Sequence, residues 1–130
     1  MLTPLGSGAQ ASVYKAIQLS MRRPVAIKLI LPERGGAEIE LHRFVREAQV
    51  LAKLAHENIV RAIDYGEVEG IRYLVMEYVE GVSVQELIEV EGALGIGRSL
   101  RIASQACKAL AHAASLGVIH RDVKPANLVI

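Results

Sequence analysis

The chain has 130 residues, 52% apolar and 22% charged, with 15 Lys and Arg against 14 Asp and Glu. That is one average domain or less and too apolar for disorder; the formal net charge of +1 gives no global pull toward nucleic acid or an anionic membrane. A single cysteine, Cys107, excludes an internal disulfide and makes a reducing, cytoplasmic compartment the default; no stretch approaches the ~18 apolar residues of a membrane span, and Met1-Leu2-Thr3-Pro4 does not open a signal peptide.

Leu5 to Ala16 reads as a strand, a tight turn through Gly6 and Gly8, and a returning strand with Val13 and Tyr14. Pro24 opens a strand over Val25 to Leu31, and Pro32 ends it. Phe44, Ala48, Leu51 and Leu54, widened by Val45, recur at helical spacing and predict a helix over 38–54. Ile59 to Gly66 and Ile71 to Val79 read as strands joined by a Glu69-Gly70 hairpin turn.

Ser83-Val84-Gln85-Glu86 fits a capping box, so a short helix is expected from there to about Val90, ending before Gly92. A longer helix is expected from about Arg98 to Leu116, with Gly117 as its C-terminal cap. Leu100, Ala103, Cys107, Leu110 and Ala114 are expected to form its buried stripe, which makes Cys107 a core filler. Val118-Ile119 and Leu128-Val129-Ile130 read as short strands flanking a charged loop. The order predicts an α+β protein: five strands with one inserted helix, then helices, with the boundary near Val79 to Val82. No turn residue or polar tail follows Ile130, so the chain is expected to stop mid-domain; the alternative is a packed terminal strand.

Three places carry chemistry. Glu47 falls on the apolar stripe of its helix, and Lys28 ends an apolar strand run. Either the two neutralise each other, as buried charges require, or both snorkel to solvent. The glycines of Leu5-Gly6-Ser7-Gly8 can aim backbone N–H groups at phosphate, or simply make a hairpin; Ala11 stands where a third glycine would complete G-x-G-x-x-G, and a strand rather than a helix follows. In His120-Arg121-Asp122-Val123-Lys124-Pro125-Ala126-Asn127, a carboxylate can take a hydroxyl proton. There a lysine two residues on can neutralise phosphoryl charge, and an asparagine can offer a hard oxygen to Mg²⁺. A merely solvated charged loop is the competing reading.

Taken in order, Gly6-Ser7-Gly8 with Val13, Val25-Ala26-Ile27-Lys28, Glu47 on a helix, Tyr73 to Gly81, and the His120 to Asn127 loop resemble the eukaryotic-type Ser/Thr protein kinases of bacteria. The resemblance implies a five-stranded antiparallel N-lobe with one helix and the hinge over 1–79, and the start of a helical C-lobe, truncated, over 80–130. It implies that Leu5 contacts the nucleotide, that Gly6 and Gly8 cover the ATP phosphates, and that Lys28 binds the α- and β-phosphates and pairs with Glu47. Val13, Ala26 and Val129 would sandwich the adenine, Met76 would close the back of the pocket, and the backbone of Glu77 and Val79 would bond the adenine edge. Asp122 would orient the attacking hydroxyl and accept its proton, Lys124 would steady the γ-phosphate, and Asn127 would ligate Mg²⁺. Lys124 at that spacing points to Ser or Thr of a protein as acceptor.

Departures from that pattern are Ala11, Gln10 at the loop tip, and Ala114 where many relatives have His. The Asp-Phe-Gly element, whose Asp is the principal Mg²⁺ ligand in the family, is absent from these residues, so the chain alone is expected to be inactive. The alternative is a kinase-like nucleotide-binding or scaffolding module without catalysis. A small-molecule phosphotransferase of the same fold would carry His-Gly-Asp, and Arg121 with Lys124-Pro125 argues against it.

Overall fold

The computed structural model describes residues 3–7, 11–30 and 48–130. Five strands, β1 (Thr3–Ser7), β2 (Ala11–Gln18), β3 (Arg23–Ile30), β4 (Ala62–Val68) and β5 (Ile71–Glu77), form one sheet in the order β1-β2-β3-β5-β4. Every neighbouring pair is antiparallel. Residues 48–52 are helical and the helix ends there, two residues before the expected end at Leu54; the part expected over 38–47 lies outside the described residues. Two helices follow, α1 (Val84–Glu91) and α2 (Ile96–Ser115), then a 3₁₀ turn at Pro125–Asn127. The α+β class and the five-stranded antiparallel sheet are as the sequence predicted.

The chain divides into two compact units, Met1–Ala55 with Val60–Tyr78, and His56–Ile59 with Val79–Ile130. In the first, the central strand β3 is covered most: Val25 is 2% exposed and Ala26 8%, with Ala16 and Leu74 also buried. The β4–β5 hairpin closes through Glu69 (φ 51°) and Gly70 (φ 77°) between the paired residues Val68 and Ile71. Two successive left-handed residues make the tight turn whose twist matches the strands, which is why glycine stands second.

In the second unit, Ser83 caps α1. Its hydroxyl oxygen accepts from Glu86 N–H at 3.1 Å, and the Glu86 carboxylate accepts from Ser83 N–H at 2.7 Å. Helix α2 ends in a paired motif: Gly117 (φ 75°) donates to Ala114 O and Val118 to Ala113 O. On the other flank, the turn at His56–Ile59 brings the His56 ring to 5.2 Å from that of His112 on α2.

Three expectations are corrected. The buried stripe of α2 is not the expected one: Ala109 and Ala113 are buried and Ile102 and Ala106 half-buried, whereas of the expected residues only Leu110 is half-buried, Leu100 being 65% exposed and Ala103 and Ala114 exposed. Both sets follow the three-and-four spacing of a helix, and in so alanine-rich a segment periodicity alone does not choose between adjacent faces. Cys107 is exposed rather than a core filler. Val118-Ile119 is not a strand, and Leu128–Ile130 forms only one bridge, Val129 opposite Ser83.

Candidate active site

Strand register gathers part of the expected site. Directly opposed residues in an antiparallel sheet share a face. Val13 lies opposite Lys28 and Lys15 opposite Ala26 across β2–β3. Ala26 lies opposite Met76, and Lys28 opposite Leu74, across β3–β5. Val13, Ala26, Lys28 and Met76 therefore occupy one face, and Lys15 joins them. Lys28 is half-buried, with no ion pair among the described residues. Gly6 pairs with Val13, and Leu5 sits 46% exposed at the β1 irregularity between Pro4 and Gly6. Gly8 and Glu47 lie outside the described residues, and with them the expected Lys28–Glu47 pair.

Glu77 ends β5 and is clamped by Arg61: its N–H donates to Arg61 O at 3.0 Å, and its Oε1 accepts from Arg61 N–H at 2.8 Å. That clamp fixes the backbone at the residue for which the resemblance implies adenine recognition. Val79 is 40% exposed.

In the second unit the loop from Val118 to Asn127 is tied at both ends. The α2 cap holds its entry. At its exit Val84 N–H donates to Leu128 O at 2.8 Å, and Val82 and Ile130 exchange two backbone bonds. Val129 is 44% exposed on that bridge. Pro125 opens the 3₁₀ turn, where its missing N–H costs nothing. Between these anchors Arg121 takes a left-handed φ of 64°, and Asp122 N–H donates to His120 Nδ1 at 3.3 Å.

The loop converges on the Asp122 carboxylate. Lys124 Nζ lies 2.9 Å from Asp122 Oδ2. Asn127 Nδ2 donates to Asp122 O at 2.8 Å and to Oδ2 at 3.1 Å. The hydrogen bond from Lys124 holds the Asp122 carboxyl below the usual carboxylate range; desolvation opposes it, and Asn127 and the charges of Lys124 and His120 add to it. Oδ2 is thus doubly engaged, whereas Oδ1 accepts no hydrogen bond among the described residues. With its amide nitrogen committed to Asp122, Asn127 has its carbonyl oxygen left as a ligand of the hard type that Mg²⁺ prefers.

The sequence reading did not single out Lys15, which shares the face of Val13, Ala26, Lys28 and Met76. The signal was available as period two: Lys15 is two positions from Val13, hence on the same face.

The model of the protein kinase domain matches residues 1–130. Serine/threonine-protein kinase PrkC of Bacillus subtilis is 41% identical over 130 residues, covering 100% of this chain and 20% of that protein. PknB of Mycolicibacterium smegmatis is 39% identical, covering 97% and 21%. The chain therefore spans about a fifth of the length of these relatives. Among solved structures, Rad53 1-466 in complex with AMP-PNP superimposes with a TM-score of 0.86 at 32% identity, covering 99% of this chain and 34% of that one. The kinase domain of Mycobacterium tuberculosis PknI gives 0.84 at 32%, covering 98% and 53%.

Proposed function

Because the chain belongs to the protein kinase domain family, we propose that it is the nucleotide-binding and catalytic-loop portion of a Ser/Thr protein kinase, which transfers the γ-phosphoryl group of ATP to a protein hydroxyl. The observation that carries this reading is the Asp122 carboxylate, with Oδ2 held by Lys124 and Asn127 and Oδ1 left to accept. A relative solved with AMP-PNP supports an adenine nucleotide as ligand, and the names of PrkC and PknB support Ser or Thr as acceptor.

In this mechanism Leu5 would contact the nucleotide, Gly6 and Gly8 would cover the phosphates, and Lys28 would neutralise the α- and β-phosphates with Glu47 as the partner that the resemblance implies. Val13, Ala26 and Val129 pack on the adenine, Met76 closes its back edge, and the backbone of Glu77 and Val79 bonds its polar edge. Asn127 would hold Mg²⁺, which would supply charge neutralisation at the phosphates. Asp122 Oδ1 accepts the hydrogen bond of the substrate hydroxyl and aims its oxygen at the γ-phosphorus. The new O–P bond forms, the bond to the β-phosphate oxygen breaks, ADP leaves, and the hydroxyl proton passes to Oδ1. A carboxylate held below the usual range is a weak base, so Asp122 contributes chiefly by orientation and receives the proton late. Lys124 faces the negative charge carried by the moving group.

On this reading one lobe spans 1–79 and the start of the other 80–130, and the whole protein carries out turnover in the cytoplasm on protein substrates. Among the described residues no helix is long and apolar enough to cross a membrane. The test uses the full-length protein with ATP, Mg²⁺ and casein as acceptor. Asp122→Asn should lower kcat by about 10²- to 10⁴-fold while AMP-PNP binding stays within twofold. Full activity in that variant refutes the assignment. Wild-type protein that binds AMP-PNP but transfers no phosphate would favour a nucleotide-binding scaffold.

A further inference from the structure

The sheet face that carries Val13, Ala26, Lys28 and Met76 carries a second lysine that the mechanism does not use. Lys15 lies opposite Ala26, and its Nζ sits 4.0 Å from the centroid of the Tyr78 ring. Both side chains are half-buried. Strands β2 and β5 are not neighbours, since β3 runs between them. The lysine therefore reaches across β3, where Ala26 stands opposite it. Among the described residues Lys15 makes no ion pair, so the ring is its electrostatic partner. A cation over an aromatic face is attracted by the ring's quadrupole, more strongly where water is partly excluded.

Tyr78 stands between Glu77 and Val79, whose backbone the proposed function assigns to the adenine edge. Glu77 is already held from one side by Arg61. Lys15 holds the next residue from another strand. We propose that Lys15 is a positioning residue for adenine recognition: through the Tyr78 ring it fixes the backbone of residues 77–79 in the conformation that meets the base. This rests on the nucleotide reading above. It assigns Lys15 a role distinct from that of Lys28, which meets the phosphates.

The experiment is run on the full-length protein with three probes: AMP-PNP, inorganic tripolyphosphate, and ATP with casein. Lys15→Met should raise the AMP-PNP Kd and the ATP KM about three- to tenfold, leave kcat within twofold, and leave tripolyphosphate binding unchanged. Lys15→Arg keeps the cation and should hold both the Kd and the KM within twofold of wild type. Tyr78→Leu removes the ring instead and should reproduce the Lys15→Met shift, with the double variant no weaker than the weaker single. Wild-type affinity in Lys15→Met, an equal loss in Lys15→Arg, additive losses in the double variant, or a parallel loss of tripolyphosphate binding would each overturn the role. Wild-type protein that binds no AMP-PNP overturns the nucleotide reading and this inference together, whereas wild-type binding with an indifferent Lys15 overturns only the latter.

Discussion

Lys124 Nζ and Asn127 Nδ2 both meet the same oxygen of Asp122, at 2.9 and 3.1 Å. The hydrogen bond from Lys124 is the main cause that keeps the Asp122 carboxyl below the usual carboxylate range. A carboxyl group whose folded value is lowered stabilises the fold above its unfolded pKa, and that contribution fades as pH falls through the folded value. Lys124→Met should therefore raise the Asp122 titration toward the ordinary carboxylate value. The check is an NMR titration of the Asp122 carboxyl carbon in both proteins. Identical midpoints would mean that Lys124 does not set the charge state.

The cap of α1 gives a second test. Ser83 accepts from the Glu86 N–H, and the Glu86 carboxylate accepts from the Ser83 N–H and hydroxyl. The backbone bond from Ser83 lowers the Glu86 pKa, so the box is intact at neutral pH and loosens as pH falls through that lowered value. Ser83→Ala should cost about 1 kcal/mol, read as a lower urea midpoint. An unchanged midpoint would show that the cap adds nothing.

Where local chemistry dictates geometry, the sequence was legible. Ser83 with Glu86 and Glu69 with Gly70 each settle their own backbone within four residues, so neither needed the tertiary fold to be read. The face holding Val13, Ala26, Lys28 and Met76 follows from strand alternation once the register is known, and the order of motifs supplied the family. The α2 stripe was not legible, because Leu100, Ala103 and Cys107 obey the same spacing as Ile102, Ala106 and Ala109. Only contact with other segments selects one. The Lys15–Tyr78 contact was hidden for a related reason: it joins residues far apart in sequence on strands that do not pair.

Gly66 and Tyr73 are paired across β4–β5, and the tyrosine ring lies over the glycine. A Cβ on Gly66 would overlap the Tyr73 hydroxyl and stand 2.6 Å from Cζ. Gly66→Ala should therefore destabilise by about 1 kcal/mol, the low end for overpacking, because the half-buried ring can tilt outward. Tyr73→Val should abolish that cost, so the double variant should be more stable than the sum of the singles. Strict additivity in urea unfolding would contradict the clash.

His112 presents the opposite problem, a polar atom with too little around it. Its Nε2 is buried and has no hydrogen-bond partner among the described residues. Its ring lies 5.2 Å from that of His56, tilted by 35°, while His56 Nδ1 accepts from Asn58 N–H at 3.0 Å. The ring contact helps to dock the 56–59 turn on α2, whereas the lone nitrogen carries a desolvation cost. These two effects separate by substitution. His112→Phe keeps a ring and deletes the nitrogen, and should stabilise by about 1 kcal/mol. His112→Ala deletes both and should destabilise, since the loss of ring packing on the turn outweighs the relief. The comparison is of urea midpoints at neutral pH. A His112→Phe protein less stable than wild type would show that the nitrogen is satisfied and that its bond, not the ring, holds the turn to the helix.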